Sequence, residues 1–187
     1  MWSLRLIFRK NKGFTLIEFL LSLGLTSIII LSLLSILDFS KKASIIGNET
    51  DELMLNGRYA LEYIKKEVKS ADMILPSGKI KGLNGVYQEN VGFVIVTKEG
   101  QGKRFTTYYR KKDGGLYRIS GLVTKDEYPS YTALQGHNEV CEYIESINDT
   151  RLDQENKIIY LELKLQSNSG QELDFKTNIF IRCPIDY

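Results

Sequence analysis

A single carboxylate interrupts a long apolar run near the amino end of this sequence. Residues 14–37 read FTLIEFLLSLGLTSIIILSLLSIL, and Glu18 is their only charged side chain. A carboxylate in such surroundings is costly unless it is paired or protonated, so a residue of this kind usually has a function. Glu18 is therefore predicted to be a functional residue.

The apolar run is long enough to cross a bilayer, since about 20 apolar residues in a helix are needed for this. A cluster of cations precedes it with no acid among them: Arg5, Arg9, Lys10 and Lys12. By the positive-inside rule the amino end stays in the cytoplasm and the carboxyl part lies outside. Lys41 and Lys42, beyond the run, favour the opposite orientation but are outnumbered.

A signal peptide and a plain signal anchor are two simpler explanations of this segment. A secretory signal peptide has a shorter apolar core followed by a small-residue cleavage site. Here the run is longer and is followed by DFSKK, so the signal-peptide explanation fails. A plain signal anchor fits the length, and the position of Glu18 is what counts against it.

Residues 12–18, KGFTLIE, resemble the processing motif of type IV pilins and of the pseudopilins of secretion and DNA-uptake machines. The resemblance implies that a prepilin peptidase cuts between Gly13 and Phe14 and methylates the new amino group of Phe14. It also implies that Glu18, together with Thr15, acts in assembly and register. The close resemblance covers residues 9–37.

The same resemblance implies a single-pass protein of the cytoplasmic membrane that enters a filament after processing. Its expected partners are other pilin or pseudopilin subunits through the amino-terminal helix, the prepilin peptidase, the membrane platform protein of the assembly machine, and lipid. No cofactor is expected. Nucleic acid is not expected as a partner, because the chain without its four leading cations has a net charge of −2 instead of +2.

The spacing of apolar residues predicts how the rest of the chain supports this segment. Residues at three- and four-residue intervals between Leu53 and Ala71 predict an amphipathic helix, with a bend or break near Gly47 and an end at Pro76. The period then changes to two, which predicts antiparallel strands. The predicted strands are 91–97, 105–111, 116–119, 158–166 and 173–181, with turns at 112–115 and 168–170.

This order predicts an α+β, pilin-like fold in which an antiparallel sheet packs on the carboxyl half of a long helix. The predicted divisions are a leader (1–13), a membrane and assembly helix (14–39), its amphipathic continuation (40–75) and an extracytoplasmic sheet domain (76–187). Residues 121–150 could form a short helix or an irregular strand. Residues 60–71, 105–111 and 116–118 also resemble J-type minor pseudopilins and related minor pilins.

The remaining reactive side chains indicate no catalytic or metal site. Cys141 and Cys183 lie in the part predicted to be extracytoplasmic, where they could form a disulfide or remain two buried thiols. His137 is the only histidine, and with two distant cysteines it lacks the spacing of a zinc site. Nucleophile, P-loop and metalloprotease motifs are absent from the sequence, so an enzyme is not expected.

Tyrosines and arginines alternate on two adjacent predicted strands, at positions 104, 108–110 and 117–118. Such a surface could stack single-stranded DNA, and cross-strand packing explains it at least as well. The predicted function is thus a minor pilin or pseudopilin subunit of a type IV pilus-like filament for secretion, DNA uptake, or adhesion and motility. The alternative is a filament-displayed module that binds DNA or another ligand.

Overall fold

The computed structural model describes residues 13–124 and 127–186, so the predicted leader cations lie outside the described residues. A 54-residue helix, α1 (Leu16–Lys69), comes first and is followed by antiparallel strands. This is the predicted α+β, pilin-like fold. The chain divides into two compact units between residues 46 and 47, and each unit is described separately below.

In the first unit, every described residue from Gly13 to Ile46 is exposed. A helix that is apolar on all sides, with no side buried in its own chain, is typical of a segment that lies in lipid or against other proteins. Of the bend or break predicted near Gly47, the break does not occur, because α1 continues through this position without interruption. A glycine inside a helix is only about 1 kcal/mol less favourable than an alanine, and the hydrogen bonds of the neighbouring turns outweigh this cost.

In the second unit, α1 places one face against the sheets. Five residues of this helix are buried: Leu53, Gly57, Ala60, Ile64 and Val68. Their spacing of three to four residues is the predicted amphipathic pattern. The helix ends at Lys69, earlier than the predicted boundary at residue 75, because residues 73–76 form a strand instead. Asp72 helps this change of direction by accepting a 2.6 Å hydrogen bond from the Lys98 amide.

The larger sheet has five antiparallel strands in the order β1-β2-β3-β4-β5. The predicted turn at 112–115 joins β3 to β4, and Gly114 there has a φ of +86°, which favours glycine. The strands are β1 (Met73–Pro76), β2 (Phe93–Glu99), β3 (Gly102–Arg110), β4 (Leu116–Val123) and β5 (Gly136–Cys141).

The smaller sheet is built around β8. Strand β9 pairs with β8 along its whole length, so the short strands β6 and β7 share the other edge of β8. Buried and half-buried residues alternate along β8, as predicted. In the ambiguous region 121–150, the described residues 121–124 and 127–150 form strands and a 3-10 turn rather than an α-helix. The strands of this sheet are β6 (Ile144–Ser146), β7 (Arg151–Asp153), β8 (Ile158–Gln166) and β9 (Glu172–Phe180).

The five-stranded sheet has a core on each face. One face joins α1 and the smaller sheet in the main core, which includes Phe93, Tyr108 and Leu116. The other face is partly covered by the short helix α2 (Leu83–Val86) and by two single 3-10 turns, Ser77–Lys79 and Tyr131–Ala133. Residues of the outer face beyond this cover remain accessible.

Candidate functional site

Thr15 and Glu18 form a reciprocal capping box at the start of α1. The Glu18 carboxylate accepts hydrogen bonds from the backbone N–H and the hydroxyl of Thr15, both at 2.9 Å. The Glu18 amide in turn donates to the Thr15 hydroxyl oxygen at 3.3 Å. These bonds satisfy donors that have no partner inside a helix and give the carboxylate polar contacts within an apolar segment.

The capping box was not part of the sequence-based prediction, although its signal was present. A Thr followed three residues later by Glu, directly before an apolar run, is typical of a helix amino terminus. The family resemblance assigned the same two residues to assembly. The structure shows that they already bond to each other within one chain, which is the state any pairing between chains must start from.

Hydroxyl groups further along the apolar segment are also satisfied locally. Thr26 and Ser27 donate to the carbonyls of Ser22 and Leu23 at 2.7 and 2.8 Å. The same i−4 bond recurs at Ser32 and Ser35. Unpaired polar groups are expensive in hydrocarbon, so these bonds make the helix compatible with a bilayer despite its hydroxyls.

The helix presents a large apolar surface around this site. Phe14 is 74% exposed, and large aliphatic side chains are exposed on all sides as far as Ile46. Among the described residues, α1 is the one helix long and apolar enough to span a membrane. A Cβ added at Gly13 would have no described atom within 4 Å, so the space beside the Gly13 backbone is open.

The two cysteines do not form the predicted disulfide; both are free thiols in the structure. Cys141 is buried at the end of β5 and donates a 3.2 Å hydrogen bond to the Glu142 carbonyl. Cys183 is partly buried against the same core. Burial raises the pKa of the Cys141 thiol to about 12 and also raises that of Cys183, which is how unreactive core cysteines behave.

The tyrosines and arginines of β3 and β4 do not form one surface. Tyr108 is fully buried and its hydroxyl donates to Glu67 on α1. Arg118 donates to the same carboxylate at 2.9 Å, so these groups join the helix to the sheet. Burial first, and then the Glu67 charge, raise the pKa of Tyr108. Tyr109 and Tyr117 lie on the opposite face, because neighbouring residues of a strand point to opposite sides.

Comparison with known families identifies the amino-terminal segment. Residues 8–34 match the family model described as the prokaryotic N-terminal methylation motif. The match includes Gly13, Phe14, Thr15 and Glu18 and ends within the apolar part of α1. No curated protein sequence and no solved structure matches the chain. This motif, a long apolar amino-terminal helix and an antiparallel sheet domain after it together support a type IV pilin-like protein.

Proposed function

We propose that this protein is a minor pilin or pseudopilin subunit that is cut between Gly13 and Phe14, methylated at Phe14, and packed by α1 into a type IV pilus-like filament. The observation that carries this proposal is the position of Glu18, held by Thr15 at the start of an exposed apolar helix within the matched motif. The protein acts as a structural subunit rather than as an enzyme.

Before assembly the subunit lies in the cytoplasmic membrane with its amino end inside and its sheet domain outside. The cations before residue 13 support this orientation, because positive charges are retained on the cytoplasmic side. The exposed apolar side chains of residues 14–37 face lipid at this stage. In the filament they face the corresponding helices of other subunits, so no new apolar surface has to be created.

Glu18 sets the register of the incoming subunit. Cleavage converts the Phe14 amide into an ammonium, which then pairs with the Glu18 carboxylate of a subunit already in place. Only one axial offset between two parallel helices brings these charges together. The capping box keeps the carboxylate hydrogen-bonded until that partner arrives, so the precursor does not carry an unpaired acid in the membrane.

The test compares three versions of the chain in its native host: wild type, Glu18→Val and Glu18→Gln. Gln at this position preserves the capping box but not the charge, whereas Val removes both. We expect both variants to insert and to lose their leader, and both to be missing from sheared filaments. Removing one partner of a buried charge pair costs about 3–5 kcal/mol, enough to abolish assembly.

The two substitutions separate charge from capping. If Glu18→Gln assembles like wild type while Glu18→Val does not, helix capping is sufficient and the register mechanism is wrong. If both variants assemble normally, the carboxylate has no role in assembly. Accumulation of uncut precursor would instead place Glu18 in recognition by the peptidase.

Secretion, DNA uptake, and adhesion or motility are the tasks that such a filament can serve. The genes beside this one are the direct test, since an assembly ATPase, a platform protein and a prepilin peptidase accompany such filaments. DNA binding by the alternating tyrosines and arginines loses support, because Tyr108 is buried and Arg118 is paired with Glu67.

A further inference from the structure

Four ring side chains from separate parts of the chain meet on the outer face of the five-stranded sheet. Tyr109 of β3 is central: its ring centroid lies 4.4 Å from that of Tyr87, 5.8 Å from Tyr117 and 6.1 Å from His137. Tyr87 precedes β2, Tyr117 lies on β4 and His137 on β5. We call these four residues the tyrosine patch.

The tyrosine patch lies at the edge of the partial cover over this face, where Tyr87 directly follows α2. Tyr87 and Tyr109 pack at the border of the smaller core, while His137 is exposed. A 3.3 Å contact joins the Tyr109 hydroxyl to His137 Nδ1. The rings are therefore fixed in place by their neighbours and remain partly accessible, which suits a preformed contact surface.

Two clefts border the patch. One, of about 250 Å³, runs along Val86, Tyr87 and Tyr109. The other, of about 540 Å³, borders Tyr117 and continues towards the β5–β6 connection. Tyr109 lines the first cleft and Tyr117 the second, and their ring centroids are 5.8 Å apart. A ligand of several linked units can contact both rings and place one unit in each cleft.

The charges around the clefts exclude a polyanion. Arg110 is paired with Glu89 at 2.8 Å and Lys111 with Asp113 at 3.0 Å. The charged residues that line the larger cleft are four acids and two bases, a formal charge of −2: Asp113, Glu139, Glu142, Glu145, Arg110 and Lys112. The smaller cleft shares Arg110 and Lys112 and adds Glu89 and Lys111, so the two clefts together also carry a formal charge of −2. Nucleic acid needs several cations without such partners, so its phosphates would be repelled here.

We propose that the tyrosine patch binds an uncharged saccharide chain. Sugar rings present a flat face of C–H groups that packs on tyrosine rings, and hydroxyls that suit the surrounding carboxylates and tyrosine hydroxyls as hydrogen-bond partners. Such a ligand needs no compensating cation. The position of Lys111 over the Tyr117 ring, 5.1 Å from its centroid, further holds that ring in its orientation. This inference does not rest on filament assembly.

The experiment measures binding of defined probes to the full chain in detergent micelles, by calorimetric titration and by saturation transfer in NMR. The probes are chitotetraose, cellotetraose and maltotetraose, with an oligothymidylate as the polyanion. We expect at least one saccharide to bind with a Kd in the millimolar range or below, and the oligothymidylate not to compete.

Variants assign that binding to the patch. Tyr117→Ala removes a partly exposed ring and should weaken binding roughly tenfold, the upper end for one aromatic contact. Tyr117→Phe keeps the ring and should bind within about twofold of wild type. Tyr59→Ala is the matched control, because Tyr59 is a 58% exposed tyrosine on α1 outside the patch. A circular dichroism spectrum equal to that of wild type shows that each variant is folded.

Three results would overturn the proposal. The first is that folded wild type binds no saccharide. The second is that Tyr59→Ala and Tyr117→Ala lose saccharide affinity equally. The third is that the oligothymidylate binds more tightly than any saccharide. A Tyr117→Ala variant that changes only self-association would show that the patch is a protein contact and would also overturn it. None of these results bears on whether the chain assembles through Glu18.

Discussion

Gly57 is the position where α1 and β9 approach closely, and replacing it by alanine tests the packing of the fold. A Cβ added at Gly57 would lie 2.3 Å from Cε2 of Phe175 and 2.5 Å from its Cδ2 and Cζ. These distances are far shorter than real contacts. Phe175 is only 8% exposed and is paired with Leu163 on β8, so its ring cannot simply turn into solvent.

The expected magnitude follows from two opposing effects. Alanine favours a helix interior over glycine by about 1 kcal/mol. Forcing one extra methyl group into a packed core costs about 1–3 kcal/mol. Gly57→Ala should therefore lower the free energy of unfolding by up to about 2 kcal/mol. Gly47→Ala, in the same helix with nothing within 4 Å of the new Cβ, should leave it unchanged or raise it.

The assay is urea unfolding of the full chain in detergent micelles, followed by the circular dichroism of the sheets. The difference between the two alanine variants isolates the packing cost, because the helix preference is common to both. The double variant Gly57→Ala with Phe175→Leu should be more stable than the sum of the single effects predicts, since leucine removes the clashing ring atoms. The reasoning is refuted if Gly57→Ala stabilises the protein as much as Gly47→Ala does.

Two further predictions concern processing and the cysteines. Trp2 is the only tryptophan, so a cut between Gly13 and Phe14 should abolish the tryptophan fluorescence of the purified mature chain, and mass spectrometry should find N-methyl-Phe14 at the new end. Tryptophan fluorescence retained by the purified mature chain would contradict the cleavage site. Thiol reagents should label both cysteines after unfolding without reductant, and in the folded protein Cys183 faster than the buried Cys141. Burial raises the pKa of the Cys141 thiol from 9.0 to about 12, so between these pH values the unfolded chain has lost the thiol proton while the folded chain keeps it. The free energy of unfolding should therefore fall as the pH rises from 9.0 to about 12, and it should fall less in Cys141→Ala.

The amino-terminal motif can be recognised from sequence because it depends on local order. The apolar run, Glu18 within it and the preceding Gly13 need no tertiary contact to be recognised, and residues 8–34 match a family model on their own. The strands at 158–166 and 173–181 were predicted for a similar reason. One face of each strand is buried, so apolar and polar residues alternate and the pattern can be seen in the sequence.

Contacts between distant segments could not be predicted in this way. Periodicity indicated that Gly57 lies on the buried face of α1, but only the pairing with β9 explains why glycine is needed there. Neighbours such as Tyr108 and Tyr109 look alike in sequence, and the placement of α1 decides that the first is buried and the second accessible. The sequence allowed a disulfide between Cys141 and Cys183, and only the structure shows that both remain free thiols at the main core.

The tyrosine patch also depends on tertiary structure and not on sequence pattern alone. Sequence alone determined that this chain carries an N-terminal methylation motif, an apolar helix long enough to span a membrane and a sheet domain after it, because those features follow from local composition and period. Which ring side chains meet on the outer face was decided by strand pairing and by the partial cover over that face. Strand order and register are set by burial of the whole core, and no single segment contains that information.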